Sequence, residues 1–171
     1  MAVRWSRRRR CGPGRDAAYF TDFGFQVTGI DASAEMIEEA KRRVTNVTFT
    51  RMPLESLTFT EQSFDGIWAM ASLLHIPRSA APDALKGFHR VLKPSGILFL
   101  GMKTGKEEGI VRTPEYLEEP RWFVYYTLPD LLALLAAAGF TVLRADPEDD
   151  DGYLQIFAQK APPGAAAPPA P

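Results

Sequence analysis

Gly24-Phe25-Gln26-Val27-Thr28-Gly29-Ile30-Asp31-Ala32-Ser33 decides how this chain is read. Phe25 to Ile30 is a short run with β-branched residues, and it stops at an acid. From Ser33 to Val44 the apolar residues Met36, Ile37, Ala40 and Val44 recur at helical spacing and share one face. Ser33 suits the N-cap, with Met36 at the third helical position, and Asp31 lies outside the helix. A strand therefore ends in a carboxylate just before a helix begins. Upstream, Gly12-Pro13-Gly14 opens a helical stretch, Arg15 to Phe23, seventeen residues before Asp31. Glycines there allow close backbone approach to a ligand and leave a helix N-terminus to meet negative charge. An acid at the strand end suits ribose hydroxyls. The alternative role for Asp31 is helix capping.

Strands and helices alternate beyond this point. Val47 to Arg51 is a second strand, and Phe64 to Met70 a third, apolar enough for a buried parallel strand. Ala80 to Leu92 is a helix stopped by Pro94 and Gly96. Ile97 to Met102 is a fourth strand. Pro129 to Ala138 is a helix with Gly139 past its end. Phe140 to Asp146 and Tyr153 to Lys160 flank an acidic turn, as an antiparallel hairpin would. This order predicts an α/β fold with a mostly parallel sheet, whose ligands sit at the strand carboxyl ends.

Composition excludes several classes. The 171 residues fit one domain, and 46% hydrophobic with 24% charged residues is ordinary globular usage. A net charge of -1 supplies no broad basic field, so nucleic acid is not the expected partner. Cys11 is the single cysteine, and His75 and His89 are the only histidines; no metal site is expected. No apolar run approaches the ~20 residues of a membrane span, and without a hydrophobic signal the expected location is cytoplasmic. Ala161 to Pro171 contains only Ala, Pro and Gly and reads as a disordered tail.

The segments CGPGRDAAYF, GFQVTGIDAS, SFDGIWAMASLLHIP, RVLKPSGILFL and the closing hairpin occur in order across residues 11–160. Together they resemble the class I S-adenosylmethionine-dependent methyltransferases of the small-molecule methyltransferase-domain type. The resemblance implies a Rossmann-like, seven-stranded sheet with a C-terminal antiparallel hairpin, and S-adenosylmethionine as cofactor. It places Gly12 and Gly14 along the methionine part of the cofactor and Asp31 on the ribose. Ala32, Ser33 and Met36 would line the adenine side, and Met52 to Glu55 would touch the ring. Ala69, Met70 and Ala71 would lie near the sulfonium. Methyl transfer from a sulfonium needs positioning and desolvation more than a protein nucleophile.

Two segments depart from the family pattern. Where the first strand should read apolar, acid, apolar, glycine, this chain has Arg7, Arg8, Arg9 and Arg10. That strand is central and buried in the family, and unpaired buried charge costs several kcal/mol. Residues 1–10 are therefore expected to be an atypical basic leader with the first strand degenerate or missing. The readings of that leader are an unrelated replacement of the true strand, a partner-binding arm and a short presequence. Residues 11–160 form the methyltransferase-like domain, and 161–171 the tail. Pro53 stands near where the family often has an adenine-binding acid, which leaves Glu55 or the Leu54 backbone for that contact.

His75, after the third strand read here, is the candidate general base toward a small-molecule acceptor; the alternative is a histidine satisfied by backbone. His89 is expected to be structural. Trp122, Phe123, Tyr125 and Tyr126 either shape an acceptor pocket or pack into the core. Lys103, Lys106, Glu107 and Glu108 are expected in a solvated loop. The rivals to methyl transfer are a noncatalytic remnant with a basic arm and a nicotinamide-dependent oxidoreductase. The latter would want a full G-x-G-x-x-G, which Gly12-Pro13-Gly14 lacks. Oligomeric state is not legible.

Replacing Ser6-Arg7-Arg8-Arg9-Arg10 by Val-Leu-Asp-Leu-Gly changes the formal charge of that segment from +4 to -1. We expect the replacement to raise both the thermal midpoint and S-adenosylmethionine affinity, read by calorimetry. Micromolar binding by the parent with no gain on repair would show that the basic segment is tolerated.

Overall fold

The computed structural model describes residues 14–111, 121–146 and 152–161. The basic leader and Gly12 lie outside the described residues, as does the tail beyond Ala161. The N-terminal part is a helix followed by a strand–helix–strand unit. Helix α1 (Arg15–Asp22) starts at Gly14, whose φ of 81° is left-handed. A Cβ on Gly14 would stand 3.1 Å from both Phe49 Cζ and Val44 Cγ2, so glycine suits both the turn and the packing. Strand β1 (Thr28–Asp31) runs parallel to β2 (Thr48–Arg51), and α2 (Ala34–Arg43) makes the crossover. Ala17, Ile37, Ala40, Val44 and Phe49 form the small core between these elements. Phe49 lies so close over Gly29 that a Cβ there would be 2.4 Å from its ring.

The larger sheet has the order β3-β4-β8-β7. Strand β3 (Phe64–Met70) leads through α3 (Ala81–Val91) to a parallel β4 (Leu92–Lys103). Two short strands, β5 (Glu108–Val111) and β6 (Arg121–Val124), pair antiparallel. Helix α4 (Leu128–Ala137) follows, then β7 (Phe140–Asp146) and β8 (Tyr153–Lys160), which pair antiparallel as expected. Strand β8 also runs antiparallel to β4, so the sheet is mixed. In place of one seven-stranded sheet, the described strands form sheets of four, two and two. Among the described residues β1 pairs with β2 alone and β3 with β4 alone. The ring of Phe20 on α1, 5.5 Å from that of Trp68 on β3, connects the two parts. Ile30 of β1 also packs against the larger core.

Alternation fixes the faces of the larger sheet. Leu98, Leu100 and Met102 of β4 point the same way as Leu154, Ile156 and Ala158 of β8, and all six are buried. Leu85, Phe88 and Val91 of α3 and Leu131 and Leu135 of α4 complete that core. The opposite face carries Trp68 stacked on Phe99 at 3.7 Å, and Phe157 beside Phe99.

Strand β4 begins earlier than the expected Ile97. Leu92 pairs with Phe64, and the register then shifts while Ser95 takes a positive φ of 61°. Pro94 thus sits in an irregular lead-in, where a missing donor is tolerated. The solvated loop expected at Lys103, Lys106, Glu107 and Glu108 is corrected in part: Lys103 ends β4 and Glu108 opens β5. The Ala161 N–H donates to the Gly139 carbonyl at 3.1 Å, and the rest of the expected tail, residues 162–171, lies outside the described residues.

Helix caps follow the sequence closely. Ser33 caps α2, while Thr127 and Asp130 form a reciprocal capping box on α4. The Thr127 hydroxyl and N–H hold the Asp130 carboxyl below its usual range. His89 packs edge-on against Phe140, and burial, aided by Lys160, pushes its imidazole below the ordinary value. No helix among the described residues is long and apolar enough to cross a membrane.

Leu100 is fully buried and pairs in register with Ile156. We expect Leu100→Ala to cost about 2–5 kcal/mol in urea denaturation, the usual range for a buried leucine. A loss below about 0.5 kcal/mol, the scale of a surface change, would contradict a central role for β4.

Candidate functional site

At the carboxyl end of β1, Asp31 is exposed and its Oδ1 accepts the Ser33 N–H at 2.7 Å. The Ser33 hydroxyl in turn accepts the Met36 N–H at 3.3 Å. Ser33 therefore caps the helix, and Asp31 braces the turn before it with one oxygen. The Asp31 carbonyl accepts the Met52 N–H at 2.9 Å, which carries the parallel ladder one residue past β2. Arg51 donates through Nε to the Ala32 carbonyl at 3.0 Å, tying the turn to β2. Gly14 and Gly29 both meet the ring of Phe49, so the start of α1 and the strand leading to Asp31 share one contact.

The residues after β2 divide. Met52 is buried, and Glu55 is exposed on a short 3-10 turn, Leu54–Ser56. Leu54 packs against the larger core, and a Cβ on Gly87 of α3 would stand 4.0 Å from its carbonyl oxygen. This draws Leu54 toward α3.

At the end of β3, the side chain of Met70 lies over Gly101 of β4. A Cβ on Gly101 would be 2.0 Å from the Met70 sulfur, so that glycine makes room for the methionine. Ala71 follows with φ 48°, left-handed for a residue that carries a Cβ, and its N–H donates to the Gly101 carbonyl at 2.8 Å. Such strain costs of order 1–3 kcal/mol and concentrates at functional positions. The Ser72 hydroxyl closes the turn onto the Met70 carbonyl at 3.0 Å.

His75 ends the next 3-10 turn, Leu73–His75, and its side chain is exposed. Its Nδ1 lies 3.0 Å from the Trp122 carbonyl oxygen on β6, and its ring meets Phe123 edge-on at 4.7 Å. A carbonyl oxygen only accepts, so Nδ1 carries the proton and Nε2 is the basic nitrogen of the neutral ring. The backbone-satisfied and general-base readings of His75 are thus compatible. In the aromatic segment, Phe123 and Tyr126 are buried, Tyr125 is half-buried and Trp122 is 42% exposed. Core packing and an open aromatic surface coexist there.

The fold thus gathers the expected residues into two groups. Asp31 ends β1 and Ala32 follows it, with Gly14 beside Phe49, the partner of Gly29 two residues before Asp31; Met70 ends β3 and His75 follows it. The Phe20–Trp68 contact joins them two residues before Met70. Gly12 is outside the described residues. Sequence reasoning missed the conformation of Ala71 and the whole of Arg78. No residue-type rule flags a left-handed alanine, and an arginine after Pro77 reads as a surface charge.

A methyltransferase domain family model matches residues 10–96. The chain is 32% identical over 157 residues to an uncharacterized methyltransferase of Synechocystis sp., covering 88% of this chain and 73% of that one. It spans only 32–38% of the length of several further curated relatives. An S-adenosylmethionine-dependent methyltransferase of Methanosarcina mazei superposes with a TM-score of 0.78 at 24% identity, covering 88% of this chain and 89% of that one; this is a likeness of fold. The 1,6-didemethyltoxoflavin-N1-methyltransferase of Burkholderia thailandensis matches with a TM-score of 0.69 at 29% identity, over 88% of this chain and 68% of that one. Its structure holds 1,6-didemethyltoxoflavin and S-adenosylhomocysteine.

Ala71→Gly removes the Cβ that makes φ 48° costly. We expect it to leave stability unchanged or raise it by up to about 1 kcal/mol, against a loss of about 1 kcal/mol for a glycine within a helix. Paired denaturation curves with Ala84→Gly in α3 check this; equal losses in both would refute strain at Ala71.

Proposed function

This chain belongs to the methyltransferase-domain family of class I S-adenosylmethionine-dependent methyltransferases, and from that membership we propose that it methylates a small-molecule acceptor. The observation that carries the reading is the Asp31 carboxylate, exposed at the end of β1 while Ser33 caps the helix. A carboxylate held at one oxygen by a backbone N–H is oriented to accept from a vicinal diol. The chemistry of the described residues fits the cofactor: an acceptor for ribose at Asp31, compact backbone at Gly14 and Ala32, and a soft thioether at Met70. Gly12 would continue the backbone path of Gly14. Glu55 and the Leu54 backbone would serve the adenine.

S-adenosylmethionine, when bound, supplies a methyl group on a sulfonium, whose neutral thioether is a good leaving group. The protein's part is to hold the acceptor in line and keep water out. His75, with its proton on Nδ1, would take a proton from the acceptor's hydroxyl or amine at Nε2 as the methyl bond forms. Trp122 would offer the acceptor an aromatic surface beside that histidine. With a net charge of -1, nucleic acid is not the proposed acceptor. The proposed location is the cytoplasm.

Asp31→Ala should weaken S-adenosylhomocysteine binding tenfold to a hundredfold, since hydrogen bonds to a charged group contribute about 1.5–3 kcal/mol. Titration calorimetry of both chains reads this directly. Equal affinities with an intact fold would reject the ribose assignment. Absence of binding of either S-adenosylmethionine or S-adenosylhomocysteine by the parent would favour the noncatalytic remnant.

A further inference from the structure

Arg78 makes more contacts between separate elements than its place after Pro77 suggests. It sits on a 3-10 turn, Arg78–Ala80, between β3 and α3. Its Nη2 donates to the Tyr125 carbonyl at 2.5 Å and to the Lys106 carbonyl at 3.4 Å. Its guanidinium carbon stands 4.3 Å above the ring centre of the fully buried Tyr126. Its backbone N–H donates to Glu108 Oε1 at 3.1 Å, and its Nε lies 3.7 Å from Oε2 of the same carboxylate. Lys106 and Glu108 precede and open β5, while Tyr125 and Tyr126 follow β6. One side chain therefore grips both strands of the β5–β6 hairpin at their open end.

That hairpin is also what holds His75, through the Trp122 carbonyl on β6. His75 and Arg78 are three residues apart on one connection, so the hairpin is fastened to it at two points. We propose that Arg78 is a positioning residue: it sets the β5–β6 hairpin at the height where the Trp122 carbonyl fixes the His75 ring with Nε2 as its basic nitrogen. A lysine cannot do this, because a single ammonium cannot at once serve the two carbonyls through one nitrogen, aim a second nitrogen at Glu108 and set a guanidinium carbon over the Tyr126 ring. The role in methyl transfer rests on the reading of His75 given above. The geometric role does not.

The test uses the full chain and the variants Arg78→Lys, Arg78→Met and Glu108→Gln. The 15N signature of the His75 imidazole should show the Nδ1-protonated tautomer in the parent and shift to mixed tautomers in both Arg78 variants. Amide exchange in residues 108–111 and 121–124 should quicken at least tenfold. S-adenosylhomocysteine affinity should stay within twofold of the parent, because its proposed anchors, Gly14, Asp31, Ala32, Leu54, Glu55 and Met70, lie outside the 75–78 connection and the β5–β6 pair. Glu108→Gln keeps the arginine and its carbonyl bonds, so it should fold and move the same signals by less. Faster exchange with an unmoved His75 signature in all three variants would overturn the proposal, as would unchanged exchange. Should the parent fail to bind S-adenosylhomocysteine, the functional reading falls, while the tautomer and exchange measurements still decide the role of Arg78.

Discussion

Strand β4 is paired along both edges and buried on its α3–α4 face, and this double constraint organises the molecule. Leu98, Leu100 and Met102 turn one way, into α3 and α4. Phe99, Gly101 and Lys103 turn the other way. Register then forces the neighbours to follow: Ile67 and Ala69 share the helix-covered face, and Trp68 and Met70 share the opposite one. A slip of one residue would bury Lys103 and expose Met102, so the apolar pattern specifies a single register. The positions of Met70 and Ala71 follow from that register, because Gly101 is the residue beside Met70 and the acceptor for the Ala71 N–H.

Local chemistry made much of this legible. Ser33 reads as a cap and it caps, while the cap of α4, Thr127, lies two residues before Pro129, where the sequence pattern starts that helix. The bounds of β7 and β8 fall where the alternation begins and ends, because hydrophobic alternation and an intervening acidic turn agree there. Asp31 emerges at a strand end because the run before it is β-branched and the helix after it has its own cap. The β5–β6 hairpin was not legible as a pair. Each strand has four residues, and Ile110 of β5 is 60% exposed, so nothing in the pattern demands a sheet. Besides its own ladder, the contacts on the hairpin are tertiary: two carbonyls, a carboxylate and an aromatic ring meet one guanidinium. Ala71 was illegible for a similar reason. Its backbone is dictated by the ladder before it and the Ser72 turn after it, not by any preference of alanine.

The two halves of the candidate site differ in how they are held. Around Asp31, the contacts run between near neighbours in sequence and across one parallel pair, and main-chain bonds dominate. Around His75 and Arg78, the partners are 47 residues away on or just past β6, and the contacts run from side chain to carbonyl. On the proposed reading, a cofactor shared by the family would ask for little change at the first half. The second half is attached through side chains, which would allow acceptor-side variation without disturbing the sheet beneath.

The pairing of β4 with β8 has a kinetic consequence. Its register runs from Lys103 opposite Tyr153 to Ile97 opposite Gln159, so every contact spans at least fifty residues. The entropy of closing such loops must be met before any bond of that ladder repays it. On a growing chain, β3, α3 and β4 are complete while β4 still has one unsatisfied edge, flanked by an aromatic face. That edge stays open until residues 153–160 leave the ribosome, and during that interval it is a template for strands of other molecules. The domain is thus built early and closed late, and its hazard in synthesis lies at its most buried strand.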